Sequence, residues 1–253
     1  MSKTSGFTIL VLVAVAAFCR PSMGVQNTST LSGTLNIILG DSMKSEPLVV
    51  YYLHTGLGEY VQIYPSAPLP LTYSGREVIA TGTVIEVADR KTVNATAITP
   101  VGPTPSSPLV SGTRKMAMLL LKYSDSAAYS PNDPSYYQNF MNPTTNSVNA
   151  FYREESYGLL NIQADVYGWY TLPRPRSYYV YGTLWTYGVY FDKLVNDAVA
   201  VADPYVYFPQ YDDVSFVMND YLDTAGGYGF PSWSITADGT TKNYGGTFMP
   251  PIG

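Results

Sequence analysis

Short runs of β-branched and aromatic residues, broken by Gly, Pro and Ser, fill the chain between residues 31 and 98. Such runs predict strands, here over Thr34–Leu39, Leu48–Leu53, Tyr60–Tyr64, Glu77–Val87 and Thr92–Ile98. Gly82 interrupts the longest and marks a bulge or a barrel corner. Five short strands in so little chain suit a small Greek-key barrel of the OB type, and a small sandwich fits nearly as well. The stretch TPVGPTPSSPLVSGT that follows is rich in proline. Proline fixes φ and favours extended, semi-rigid chain. The organisation is thus a β module over 25–100, a linker over 101–113 and a second unit over 114–253.

In the second unit the period changes. Met116–Leu121 is continuously apolar, as a strand buried on both faces should be. Asp133-Pro134 opens a short helix to about Phe140, with Pro at its first position. Asn146 is placed to cap the next helix. Val148, Phe151, Tyr152 and Glu155 share one of its faces, and Gly158 stops it. Ile162, Ala164, Val166, Gly168, Tyr170 and Leu172 alternate as in a strand. A helix over Tyr190–Ala202 buries Leu194, Val195, Ala198, Val199 and Ala202 before Asp203-Pro204 ends it. Val214, Phe216 and Met218 alternate in a further strand. Beyond Tyr221 the chain turns Gly-rich and polar, anchored by Trp233 and Ile235. Strands alternating with helices imply a sheet with helices packed on it, an α+β protein.

Composition narrows the class. Of 253 residues 46% are hydrophobic and 13% charged, enough for a core and too apolar for disorder. The formal net charge of −5 argues against nucleic acid or an anionic membrane as partner. Residues 1–24 read as a secretory leader: Lys3, an apolar run from Phe7 to Phe18, then Ser22 and Gly24 before a cleavage site at Val25. An uncleaved N-terminal anchor is the alternative. Cleavage gives a secreted chain without cysteine, since Cys19 is the only one, and so without disulfides or thiolate ligands. Asn27 and Asn94 stand in N-x-[ST] sequons.

The segment VNAFYREESYGLLNIQADVYGWYTLP, Val148–Pro173, closely resembles one that precedes the zinc site in immune inhibitor A-type and gametolysin-type secreted metallopeptidases. Gly112–Asp125 (GTRKMAMLLLKYSD) looks like the opening strand of their catalytic domain. Leu194–Met218 resembles its later helix and strand, and Ile235–Met249 the approach to the active-site helix. The N-terminal SGTLNIILGD and VVYYL are similar to the OB-like module ahead of gametolysin-type domains. The resemblance implies an OB-like barrel followed by an incomplete zincin upper lobe. In that family the next helix carries H-E-x-x-H, two zinc-binding histidines and a glutamate base. With His54 as the only histidine, this chain offers no motif to carry over, so no catalytic and no metal-binding residue is assigned. Zinc belongs only to an intact family member. An incomplete lobe should also expose apolar surface around Val195, Val199 and Phe216.

His54, alone, supports neither a zinc site nor a Ser-His-Asp triad, and reads as a surface or hydrogen-bonded side chain. Glu154 and Glu155, adjacent on a helix, point about 100° apart and cannot flank one bond; solvation or pairing with Arg153 suffices. Asp212, Asp213, Asp220 and Asp223 form a loose acidic group. Structural calcium would use such oxygens, but the spacing fits no calcium loop and a solvated edge explains them. Tyr178, Tyr179, Tyr181, Trp185, Tyr187 and Tyr190 cluster in one stretch. Tyrosine couples apolar area to a polar tip, so this is either a surface for peptide or glycan, or ordinary packing. Three functions remain open: the front of a secreted zinc endopeptidase, a secreted binding module, or a truncated regulator that associates with an intact peptidase.

Overall fold

The computed structural model describes residues 28–41, 48–87, 90–103, 111–183, 186–223 and 226–251. The segment read as a leader, Asn27 and Trp185 lie outside them. Among the described residues no helix is long and apolar enough to cross a membrane.

The protein is mostly β. Its first five strands are β1 (Thr28–Asp41), β2 (Leu48–Thr55), β3 (Tyr60–Pro65), β4 (Glu77–Val87) and β5 (Arg90–Pro100). They pair in the order β2-β3-β5-β4-β1, and β1 pairs back onto β2, which closes a barrel. The barrel reading therefore holds over the sandwich. β1 is shared: Thr28–Thr34 pair with β4 and Gly33–Gly40 with β2. Gly33 sits where both ladders meet, and a Cβ there would fall 2.3 Å from the His54 carbonyl oxygen. The ladder between β4 and β5 slips between Thr81 and Gly82, the bulge the glycine announced. Alternation divides the strands as period 2 demands. Leu35, Ile37, Leu53, Val61, Ile63, Val78 and Val93 fill the barrel, whereas Ile38 and Tyr52 face outward into a second, larger core.

That second core belongs to β6 (Gly112–Lys122), α1 (Pro134–Met141), α2 (Val148–Glu155), β7 (Leu160–Thr171), α3 (Arg176–Tyr179), β8 (Val180–Thr183), β9 (Thr186–Val189), α4 (Phe191–Ala202), β10 (Asp213–Met218), β11 (Gly227–Ala237) and β12 (Thr240–Met249). The order continues from β1 as β11-β12-β10-β6-β7. β6 runs parallel to both β10 and β7, which explains its unbroken apolar run. Tyr137 and Met141 of α1 pack on one face of this sheet, with Met118, Leu120 and Val217. α4 packs on the other through Leu194, Val195, Ala198, Val199 and Ala202, all buried. A helix of that length is marginal alone; burying each large aliphatic side chain, about 1.5–3 kcal/mol, holds it.

Four expectations are corrected. The Gly-rich tail is a long antiparallel hairpin, β11 and β12. β10 does not alternate between core and solvent, because Val214–Met218 are all buried between parallel neighbours. Ser147, not Asn146, caps α2, accepting the Ala150 N–H at 3.1 Å. Val195, Val199 and Phe216 are 1%, 7% and 0% exposed, so the anticipated apolar surface is absent there. Phe230 and Phe248 of the hairpin cover Phe216, and barrel residues Ile38 and Tyr52 join the same core as α4.

The barrel and second unit share one ten-stranded sheet, joined by Leu39–Asp41 of β1 against Gly227–Gly229 of β11. Beyond that short ladder, barrel side chains replace the missing strand. Ser234 of β11 donates its N–H to Asn36 Oδ1 at 3.1 Å and accepts from the Tyr60 hydroxyl. The opposite edge, β7, is closed the same way. Ile162 N–H donates to Asn149 Oδ1 at 2.9 Å, and Ala164 N–H to Asn142 Oδ1 at 2.7 Å. Unpaired strand edges invite association with other chains, and both edges here are capped by amides and a phenol.

Candidate binding groove

The β2–β3 ladder ends at Tyr51↔Ile63. Past that pair, Leu48–Val50 stay with β1 and Tyr64–Pro65 with β5. The two strands diverge into a fork, and the fork is a groove of about 600 Å³. Its walls carry Val49, Tyr51, Ile63, Tyr64, Pro65 and Pro68, with Gln62 and, from the second unit, Tyr181. Apolar concavities with a few convergent polar groups are the usual form of a ligand site.

Tyr181 is held in place from both sides. Its strand β8 pairs with β9, Tyr181 opposite Gly188. Any Cβ on Gly188 would fall 2.4 Å from the Tyr181 ring, so the glycine makes room for it. Its other face stacks on Tyr190 at 4.4 Å. Arg90, from the barrel, lies 4.0 Å over the Tyr190 ring and donates to Gln62 Oε1 at 3.2 Å. Lys193 of α4 sits over both Tyr190, at 4.9 Å, and Tyr178, at 4.5 Å, and Arg174 covers Tyr178 at 5.6 Å. Cations and rings thus alternate along a row that meets the groove at Tyr181. Burial raises the Tyr181 pKa, and the neighbouring Tyr64 adds to the shift. Its hydroxyl therefore stays a neutral hydrogen-bonding group.

Of the tyrosines singled out in sequence, Tyr181 lines the groove, and Tyr190 and Tyr178 belong to the row of rings and cations beside it. Tyr179 instead is buried, its hydroxyl donating to Asp197 Oδ2 at 2.7 Å. Arg90, Gln62 and Tyr64 went unrecognised, because only folding brings the barrel beside the hairpin.

The remaining candidates are dispersed. His54 is half-buried and stacked on Tyr60 at 4.6 Å; burial lowers its pKa, partly offset by Glu77. Tyr60 stacks in turn on Trp233 at 5.0 Å, linking barrel to sheet. The four aspartates are separated by the length of β10. Asp213 holds Arg114 bidentately at 2.8 and 2.9 Å, raising the arginine's pKa. Asp212 accepts the Lys115 N–H at 3.0 Å. At the other end Asp220 accepts the Tyr221 N–H at 2.7 Å, and Asp223 is buried against the Tyr228 hydroxyl. Asp223 is thus no part of a solvated edge. Glu154 and Glu155 are exposed, and Arg153 donates to Asn161 Oδ1 at 3.3 Å. Asn94 is exposed on β5. Among the described residues no group of three or more His, Cys, Asp or Glu could hold a metal ion. No protein-family model and no curated protein matches the chain.

Proposed function

We propose that the chain is the front part of a secreted zincin-type zinc endopeptidase, in which peptide-bond hydrolysis belongs to the intact protein. One observation carries this reading. The segments that bear the resemblance, Gly112–Asp125, Val148–Pro173, Leu194–Met218 and Ile235–Met249, fold as successive parts of one mixed sheet with helices on both faces. A five-stranded barrel precedes them, and its closed order supports the OB-type assignment. Zinc itself does not fit the residues present. A zinc site takes three or four side-chain ligands, and the only histidine is committed to an aromatic stack.

The test is to assay the mature chain beside a product of the same gene read past Gly253. The mature chain should bind no stoichiometric zinc and cleave no unfolded protein. A longer product with a downstream H-E-x-x-H helix should do both. Zinc-dependent cleavage by the mature chain alone, or no such helix in any frame, overturns the reading.

The groove favours a second, compatible role: binding glycan or peptide at the barrel. OB-type barrels bind oligosaccharides on the face of their second and third strands. Thermal stabilisation by members of an oligosaccharide and peptide panel, lost in Tyr181→Ala, is the expected result. Silence across the panel removes this role and leaves the first untouched.

A further inference from the structure

We propose that Asn94 carries an N-linked oligosaccharide whose first sugars lie over Tyr64, one wall of the β2–β3 groove. This rests on the reading of the chain as secreted and is independent of what the groove itself binds.

The sequon is presented by a fault in the barrel. Along β5, Ala95 is buried in the barrel core, and Asn94 and Thr96 on either side of it are exposed. The β4–β5 ladder pairs Thr81 with Ala97 and Gly82 with Ala95, so Thr96 is the extra residue of the bulge. Its hydroxyl donates to the Thr81 carbonyl at 3.1 Å. Both side chains that define an N-x-[ST] acceptor therefore stand on the outer face. Sugar is transferred while the chain is extended, so the fold has only to leave room for the product, and at Asn94 it does.

The surroundings give the product a seat. Asn94 faces Tyr64 across the parallel β3–β5 ladder. Side chains paired in this way project from the same face of strands about 4.8 Å apart. Tyr64 is 49% exposed and lines the groove. On the other flank Ile85, 40% exposed, pairs with Thr92, two residues along β5 from Asn94. Apolar surface is thus left open on both sides of the acceptor amide. The C–H face of a pyranose covers an aromatic ring well, while its hydroxyls and the phenol tip stay in water.

The step is a glycosyl transfer from a polyprenyl-pyrophosphate-linked oligosaccharide. The Asn94 Nδ2 attacks C1 of the first sugar and forms the N–C1 bond. The C1–O bond to pyrophosphate breaks, the pyrophosphate leaves with the electron pair, and one amide proton is lost.

The experiment is expression of the full chain in a yeast secretory host, with its own residues 1–24 and, separately, with a host leader in their place. Peptide mapping by mass spectrometry reads occupancy, and acetylimidazole labelling reads the access of Tyr64 against Tyr157, which is 94% exposed. Glycan on the Asn94 peptide is expected, kept in Thr96→Ser and lost in Thr96→Ala and Asn94→Gln. Labelling of Tyr64 should be several-fold slower in the glycosylated protein than in Asn94→Gln, with Tyr157 unchanged. Exported protein with a bare Asn94 overturns the site. Glycan at Asn94 with Tyr64 labelled equally fast in both forms overturns its seating on the groove wall. Export and glycosylation under the host leader alone support the site and remove the secretory reading of residues 1–24.

Discussion

Asn142 treats Ala164 as a neighbouring strand would: it accepts the Ala164 N–H at 2.7 Å and donates Nδ2 to the carbonyl of the same residue at 2.8 Å. Gln138 also reaches that carbonyl, at 3.2 Å. Asn142→Ala therefore orphans chiefly the buried N–H, at a cost of about 1–3 kcal/mol. Urea unfolding should show a lower midpoint with an unchanged slope. Combining it with Asn149→Ala opens the edge of β7, and light scattering should then detect self-association. A double variant that is destabilised yet strictly monomeric would refute the edge-capping role.

At the other edge, Asn36 and Tyr60 divide the backbone of Ser234 between them. Asn36 and Ser234 are essentially inaccessible to solvent. Asn36→Ala should cost about 1–3 kcal/mol and Tyr60→Phe about 1 kcal/mol. Because both act on one residue, a double-mutant cycle should show coupling above about 0.5 kcal/mol. Simple additivity would mean that the two contacts work independently.

Asp192 opens α4 with Oδ1 buried and unpartnered. Burial raises its pKa above the ordinary 3.8, and Arg90 opposes the shift. A folded-state value above the unfolded one means that the fold prefers the neutral acid. Stability from this residue is full below the unfolded value and is lost as pH rises through the folded one. Asp192→Asn should therefore melt higher than the parent at neutral pH, with the gap closing on acidification. Arg90→Gln should raise the folded-state pKa further, so that the loss of stability extends to higher pH and the deficit at neutrality deepens. A destabilised Asp192→Asn at neutral pH would show that the carboxylate is a net asset.

Gly246 faces Val214 across the parallel β10–β12 ladder. A Cβ there would lie 1.8 Å from the Val214 carbonyl oxygen. Gly246→Ala must push the strands apart, costing about 3 kcal/mol or more. Gly229, in the same hairpin, has open space around its Cβ position. Gly229→Ala should stay within about 0.5 kcal/mol of the parent. Comparable melting points for the two variants would contradict this account.

These glycines also show why the hairpin was illegible in sequence. Gly227, Gly229, Gly245 and Gly246 make the stretch read as Gly-rich and polar with no strand marked, yet Gly245 and Gly246 are small because Asp213 and Val214 press against them. The barrel strands were legible as short β-branched and aromatic runs bounded by Gly, Pro and Ser, even though β1, β2 and β3 are buried on both faces over part of their length. α4 was legible because its stripe is uniformly apolar. α2 misled: its aromatic Phe151 and Tyr152 are exposed, while polar Asn149 is the buried residue. An amide that substitutes for a strand looks, in sequence, like any solvent-facing residue. The row of rings and cations beside the groove was half legible, its tyrosines clustering in one stretch, its barrel partners scattered.

The sharing of β1 among β2, β4 and β11 decides what cutting the chain would do. Nicking the backbone between Pro100 and Gly112 severs a covalent thread but no ladder. The two fragments should co-elute as one particle and melt together. The second unit would be no natural piece for separate expression, since the barrel fragment would carry away Ile38, Tyr52 and the β1 ladder that complete its core.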